Sequence, residues 1–258
     1  MGLSQFTLDS RVIVVTGGAG LFGLPISEAL ADAGACVIIA SRDLARNRER
    51  ADKLRKKSLN VHAELLDLAQ EKSIRAFHET VKTKFSKIDV LVNNAVLRPI
   101  HDFWSSTPSQ WEESMRINVT GPHFLTRLVV DDMLHEKAGN IINISSIYGV
   151  VGPTFPIYNG TQIMCPPDYA VHRAGMISYT RYLATLLAPY VRVNCLTLGG
   201  LRDDGEAEQF VSQYSSHCPL GRKAEPEDVK GPVVFLASAA SRYMTGHNLV
   251  VDGGWTSW

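Results

Sequence analysis

Short apolar runs alternate with longer amphipathic stretches along the whole chain. Val12–Val15, Cys36–Ala40, Val61–Leu66, Ile88–Val92, Ile141–Ile144, Val191–Leu196 and Leu249–Val251 are rich in aliphatic and β-branched residues and read as strands. Helical spacing between them predicts helices over Leu24–Ala33, Leu44–Lys57, Ser73–Phe85, about Pro108–Glu136, Tyr169–Ala188 and Pro226–Ala237. Asp43 stands where it can cap the second helix. Continuous apolar strands separated by helices imply a parallel sheet covered on both faces. Right-handed crossovers make this a Rossmann-like, doubly wound α/β fold of about seven strands. No linker, repeat or low-complexity tail breaks the pattern, so 1–258 reads as a single domain.

Composition narrows the partners rather than the fold. Lys plus Arg and Asp plus Glu each number 26, which gives no reason to expect nucleic acid or an anionic membrane as partner. Cys36, Cys165, Cys195 and Cys218 lack CxxC spacing, which argues against zinc and against a disulfide framework. Reduced thiols, the absence of a long apolar run, and a Met1–Ser10 stretch without a signal-peptide pattern lead us to expect a cytoplasmic protein.

Candidate chemistry begins at the turn Thr16-Gly17-Gly18-Ala19-Gly20-Leu21-Phe22-Gly23, between the first strand and the first helix. Backbone can approach a pyrophosphate there only without side chains in the way, and the helix start offers free N–H groups and a favourable dipole. Gly17, Gly20, Leu21, Phe22 and Gly23 are therefore dinucleotide-binding candidates. The second strand ends in Ser41-Arg42, where a hydroxyl and a guanidinium suit a 2′-phosphate, so NADP(H) is favoured over NAD(H). Arg46 and Arg48 read as a solvated helix face. Asp67, with Leu68 after it, stands where a carboxylate can accept a bond from the adenine amino group, and is equally at home as a turn-former. Asn94 and Ala95 end the fourth strand on the same carboxyl edge.

Tyr169 and Arg173 occupy positions i and i+4 of one helix and share a face. A fixed positive charge at ~4 Å and an effective dielectric of ~20 is worth about 4 kcal/mol, or about three pK units. That suffices to make a phenol of pKa near 10 into an acid/base group near neutrality. An isolated YxxxR is also simply a surface tyrosine at a helix start, so its surroundings must decide.

Those surroundings resemble the short-chain dehydrogenase/reductase family. The likeness spans the glycine turn, Asn93-Asn94-Ala95, Asn118, Asn143-Ile144-Ser145-Ser146, Tyr169, Arg192-Val193-Asn194 and the closing Val251-Asp252-Gly253-Gly254. The resemblance implies that Tyr169 is the general acid/base, that Ser146 bonds the substrate oxygen, and that Asn118 holds a water in a proton path. It also implies that Arg173 carries the assisting cation and that Gly199 lies against the dinucleotide. The chain departs from the family pattern at Leu21 and Val96, where glycines are usual, and at Leu198-Gly199, where proline-glycine is usual. A threonine is missing from Gly200–Asp203, and arginine replaces the lysine of YxxxK. Arginine keeps the charge but not the compact ammonium geometry. The resemblance therefore implies a slowed or specialised oxidoreductase acting on a secondary alcohol or carbonyl. The alternatives are a dinucleotide-binding subunit or sensor without turnover, and non-redox sugar chemistry.

Between Ser146 and Tyr169 lies an insertion, residues 152–167, whose prolines and polar Asn159, Thr161 and Gln162 suit a wall against a hydroxylated ligand, or else a surface excursion or oligomer contact. Tyr158 within it lacks a following base and is rejected as the catalytic tyrosine. Residues 200–221 form a short, acidic segment, and the resemblance implies that it covers the substrate. The Ser146–Val151 segment with its long loop is similar to a bacterial branch linked to flagellin modification and nonulosonic (legionaminic-type) sugars, which implies a sugar or nucleotide sugar as substrate. By the same resemblance the helices at about 108–136 and 169–188 form a dimer seam and 254–258 packs across another axis, giving a homodimer or homotetramer.

Overall fold

The computed structural model describes residues 4–258, so Met1–Leu3 of the N-terminal stretch read above lie outside the described residues. Seven strands form one sheet: β1 (Val12–Thr16), β2 (Cys36–Ser41), β3 (Val61–Leu65), β4 (Val90–Asn93), β5 (Gly139–Ser146), β6 (Val191–Leu198) and β7 (Asn248–Val251). All pairings are parallel and the order is β3-β2-β1-β4-β5-β6-β7. The chain reverses its direction of travel between β1 and β4. Ligands of such sheets bind in the crevice beyond that point, at the carboxyl ends.

Side-chain alternation divides the core into two layers. Ile13, Val15, Val37, Ile39 and Val92 face the layer of α1 (Gly23–Asp32), α2 (Leu44–Arg55) and α8 (Pro226–Ala237). Val12, Val14, Ile38 and Leu91 face α3 (Glu71–Phe85), α5 (Gly121–His135) and α6 (Pro167–Leu187). Helix starts follow local chemistry. Asp43 accepts the Arg46 amide at 2.9 Å, as predicted, and Thr107 and Gln110 form a reciprocal capping box that opens α4 (Pro108–Met115).

Three features depart from the hydrophobic pattern. β5 and β6 run beyond Ile144 and Leu196, because the polar Asn143, Ser145, Ser146 and Thr197 are buried with partners that satisfy them. The predicted 108–136 helix is broken by a π turn over Arg116–Thr120. Residues 200–221 contain α7 (Glu208–His217), whose polar sequence hides an inward stripe of Phe210, Val211 and Tyr214. Phe210 and Tyr214 join Ile147, Tyr148, Ile157, Cys165, Cys218 and Trp255 in a third cluster beyond the sheet's carboxyl edge.

Within the sheet, Asn93 Nδ2 donates to Asn143 Oδ1 at 2.9 Å and to Thr126 Oγ1 at 3.1 Å, and Asn143 Nδ2 donates to Thr180 Oγ1 at 2.9 Å. The chain ties β4, β5, α5 and α6 together beneath the cavity. Asn143→Ala should lower the unfolding free energy by about 2 kcal/mol. Urea denaturation checks this as a reduced midpoint at unchanged m.

Candidate active site

A cavity of about 1220 Å³ opens along the carboxyl edge. One end is the β1–α1 turn. Gly17 has φ +64°, and a Cβ there would lie 2.9 Å from Ala95 Cα. A Cβ on Gly23 would lie 2.0 Å from the Gly17 carbonyl oxygen, so the turn closes only with glycine at that position. Asn94 Nδ2 donates to the carbonyls of Thr16 and Gly17, at 2.9 and 3.2 Å, while Thr16 Oγ1 accepts the Asn94 and Ala95 amides, each at 3.0 Å. Asn94 thus braces the turn from behind. Leu21, where the family has glycine, is 47% exposed and points no obstacle into the turn's own hydrogen bonds. Among the described residues the Leu21 and Phe22 amides have no turn acceptor and remain open at the helix start.

At the end of β2 the picture is mixed. Ser41 lines the cavity, but its hydroxyl already donates to Asn47 Oδ1 at 2.7 Å. Arg42 is exposed at the cavity wall, and Arg46, read from sequence as a solvated helix residue, lines it too. Asp67 and Leu68 line the next section. One Asp67 carboxylate oxygen accepts the Ala69 amide at 2.9 Å, which fixes the side chain.

The other end holds Tyr169, at the start of α6. Ser145 Oγ donates to the Arg173 carbonyl at 2.8 Å, and Arg173 Nη1 donates to the Ile144 carbonyl at 2.7 Å, so α6 is pinned to the end of β5. Arg173 is buried, and its guanidinium carbon lies 5.1 Å from the Tyr169 ring centroid. Arg98, in the irregular stretch after β4, lies 4.5 Å from the same centroid. Burial works to raise the Tyr169 pKa. The charges of Arg173 and then Arg98, with the neighbouring Ser146 hydroxyl, outweigh it and hold the phenol below its ordinary value. His172, edge-on to the Tyr169 ring at 5.2 Å, is pushed down to about 3 by burial and by the same two guanidiniums, so it stays neutral.

Asn118 sits on the π turn. Its side chain donates to the Leu97 carbonyl at 2.8 Å and to Ser114 Oγ at 3.0 Å, and accepts the Leu97 amide at 2.8 Å. Its amide group is thereby committed to the protein. A π turn displaces the regular i+4 ladder, which leaves backbone carbonyls there for other partners. Ser114 in turn donates to the fully buried Asp168, at the foot of α6.

Insertion 152–167 and α7 wall the cavity together. Thr161, Gln162 and Met164 line it, while Asn159 contributes only its carbonyl, which accepts from Gln209 and Gln213 Nε2 at 3.1 Å each. Tyr158 stacks on Phe210 and donates to the Tyr148 hydroxyl at 2.9 Å; burial raises its pKa, the opposite of what an acid/base group needs. Gly199 lines the cavity beside the Tyr214 hydroxyl, which accepts the Gly200 amide at 2.6 Å. The sequence reading missed Arg98 and the ion pair of buried Lys223 with Glu206. Both lie in irregular segments without a motif, and the only cue to Arg98 was its place just past the carboxyl end of a central strand. Among the described residues, no cluster of three His, Cys, Asp or Glu side chains is arranged to hold a metal.

The glycine turn and a phenol with two guanidiniums near its ring line one cavity, the arrangement of a dinucleotide-dependent oxidoreductase. The chain belongs to one family of that class, the short-chain dehydrogenases/reductases: a family model described as Enoyl-(Acyl carrier protein) reductase matches residues 20–256. It is 33% identical to a 3-oxoacyl-(acyl-carrier-protein) reductase of Aquifex aeolicus over 97% of this chain and 99% of the relative. It is 30% identical to post-translational flagellin modification protein A of Campylobacter coli, over 96% and 99%. Among solved structures, a gluconate 5-dehydrogenase from Burkholderia cenocepacia in complex with NADP and tartrate superposes with a TM-score of 0.88 at 28% identity, covering 99% of both chains. A short-chain dehydrogenase from Leptospira borgpetersenii with bound NAD+ does so at 0.87 and 31% identity, over 99% of this chain and 96% of that one.

Tyr169 should titrate apart from the other phenols. Ultraviolet titration of the folded protein, differenced against Tyr169→Phe, should show an inflection below the ordinary phenol value, and Arg173→Leu should move it upward. An inflection unchanged by Arg173→Leu would mean that the guanidinium does not set the ionisation.

Proposed function

We propose that the protein is an NADP(H)-dependent oxidoreductase acting on a secondary alcohol or carbonyl of a polyhydroxylated, sugar-like substrate. The observation that carries the reading is the phenol held below its ordinary pKa between two guanidiniums, in the same cavity as the glycine turn. The residues present fit the dinucleotide. The open Leu21 and Phe22 amides and the α1 N-terminus suit the pyrophosphate, and Arg42 with Arg46 suits a 2′-phosphate. Asp67 and Leu68 suit the adenine, and Ala95 and Gly199 line the path toward the nicotinamide end. When bound, the nicotinamide supplies or accepts the hydride.

The rest is proton handling by the chain. In reduction, Tyr169 Oη gives its proton to the substrate oxygen, while the Ser146 hydroxyl holds that oxygen in place. Arg173 stabilises the phenolate that results, and a water at the Asn118 turn returns the proton from solvent. In oxidation the same steps run backwards. The 152–167 insertion and the 200–221 segment cover the substrate, with the Gln162 amide available to its hydroxyls, while Thr161 donates its own hydroxyl to the Tyr158 carbonyl at 2.7 Å and shapes the loop. The similarity to the Burkholderia gluconate 5-dehydrogenase, solved in complex with NADP and tartrate, supports a polyol substrate and a phosphorylated cofactor. The relative involved in flagellin modification is compatible with a sugar. A homodimer or homotetramer through α4–α6 is part of the proposal, supported by the exposed Val171, Tyr182 and Leu186 on α6. No helix among the described residues is long and apolar enough to cross a membrane.

The second reading, dinucleotide binding without turnover, draws on Arg173 and Leu21. Tyr169→Phe separates the two. It should lower kcat for ketone reduction by about 100-fold or more with the NADPH dissociation constant little changed, whereas a wild type that binds NADPH but reduces no ketone or sugar would favour the second. Arg173→Lys, which keeps the charge, should keep activity that Arg173→Leu loses. Arg42→Ala should weaken NADPH binding by about tenfold or more in fluorescence titration and leave NADH binding nearly unaffected. Equal losses for the two cofactors would remove Arg42 from the phosphate site.

A further inference from the structure

Arg98 is exposed in the cavity beside the reacting end, its guanidinium carbon 4.5 Å from the Tyr169 ring centroid. The other cations around that space are engaged. The Lys223 ammonium pairs with Glu206, and Arg173 gives Nη1 to the Ile144 carbonyl. Among the described residues, no carboxylate and no other acceptor takes a hydrogen bond from Arg98, and the two ionisable acids nearest the substrate end are accounted for: Glu206 by Lys223, Asp168 by its burial beneath α6 against Ser114. A guanidinium drawn to an aromatic face keeps its planar fork of N–H donors free, and that fork matches a carboxylate with two parallel bonds.

We propose that Arg98 anchors a carboxylate carried by the substrate, so that the substrate is a polyhydroxylated acid or its keto form. This rests on the oxidoreductase reading of the cavity and narrows its substrate class. Arg98 makes and breaks no bond in the reaction. It fixes which end of an open-chain substrate points away from Tyr169, and so which carbon presents its oxygen to the phenol. A phosphate is a poorer match than a carboxylate, because a phosphate dianion calls for several converging donors and this part of the cavity offers one free fork.

The test uses the full chain saturated with NADP+. Calorimetric titration compares D-gluconate with D-glucitol, and D-galactonate with galactitol; each pair differs only in a carboxylate against a hydroxymethyl group. Glucitol phosphate serves as the phosphate probe. We expect the acid to bind about tenfold more tightly than its alditol in at least one pair, Arg98→Gln to erase that preference, and Arg98→Lys to restore part of it. Equal or absent binding within both pairs, a preference that survives Arg98→Gln, or tighter binding of the phosphate overturns the proposal. Circular dichroism and unchanged NADP+ affinity identify the variants as folded. Reduction of diacetyl, a neutral diketone, tests the underlying reading separately. Turnover of diacetyl without an acid preference removes only the anchor, and an acid preference without turnover of any ketone removes only the oxidoreductase reading.

Discussion

Burying a phenol and asking it to ionise are opposed demands. In this protein the opposition is resolved by charge. Partial burial raises the Tyr169 pKa, and the two guanidiniums near its ring reverse that rise. The balance depends on where Arg173 is held. Its carbonyl takes the Ser145 hydroxyl and its own Nη1 goes to Ile144, so the charge is located by β5 and not by a mobile side chain. A cation fixed by backbone acceptors keeps its distance from the phenol through small motions of the helix, which a long exposed side chain would not do.

The same strand end organises the remainder. β5 runs through its polar terminal residues because the Asn93–Asn143–Thr180 chain of hydrogen bonds and Ser145 satisfy them, and this extension carries Ser146 to the cavity. On the other side of the crevice, Asn94 and Thr16 lock the end of β4 to the glycine turn. The nucleotide end and the phenol end are therefore set by neighbouring strands of one ladder, β1, β4 and β5, and their separation follows from strand spacing.

Much of this was legible in the residues. The strands announced themselves because central strands of a parallel sheet are apolar on both faces, and the glycine turn because close backbone approach permits little else. The placement of Tyr169 and Arg173 on one helical face at the cavity was legible through their i, i+4 spacing. What escaped had no periodic or compositional mark. The ends of β5 and β6 are polar, and only the partners that bury them make them strand. The π turn at Asn118 has an ordinary helical pattern. α7 is too polar overall to stand out, although Phe210 and Tyr214 pack inward. Arg98 and Arg46 belong to a loop and to a charged helix, where an arginine's direction is set by tertiary structure alone. Ser41 illustrates the reverse case. Its type suited a phosphate, yet Asn47 takes its hydroxyl.

The two glutamines of α7 that share the Asn159 carbonyl join the insertion to the covering helix at a single backbone atom. Neither flap can swing outward alone without stripping that oxygen of its donors. Any widening of the cavity mouth between the insertion and α7 has to exchange those two bonds for bonds to water, so two segments distant in sequence are coupled through one carbonyl oxygen.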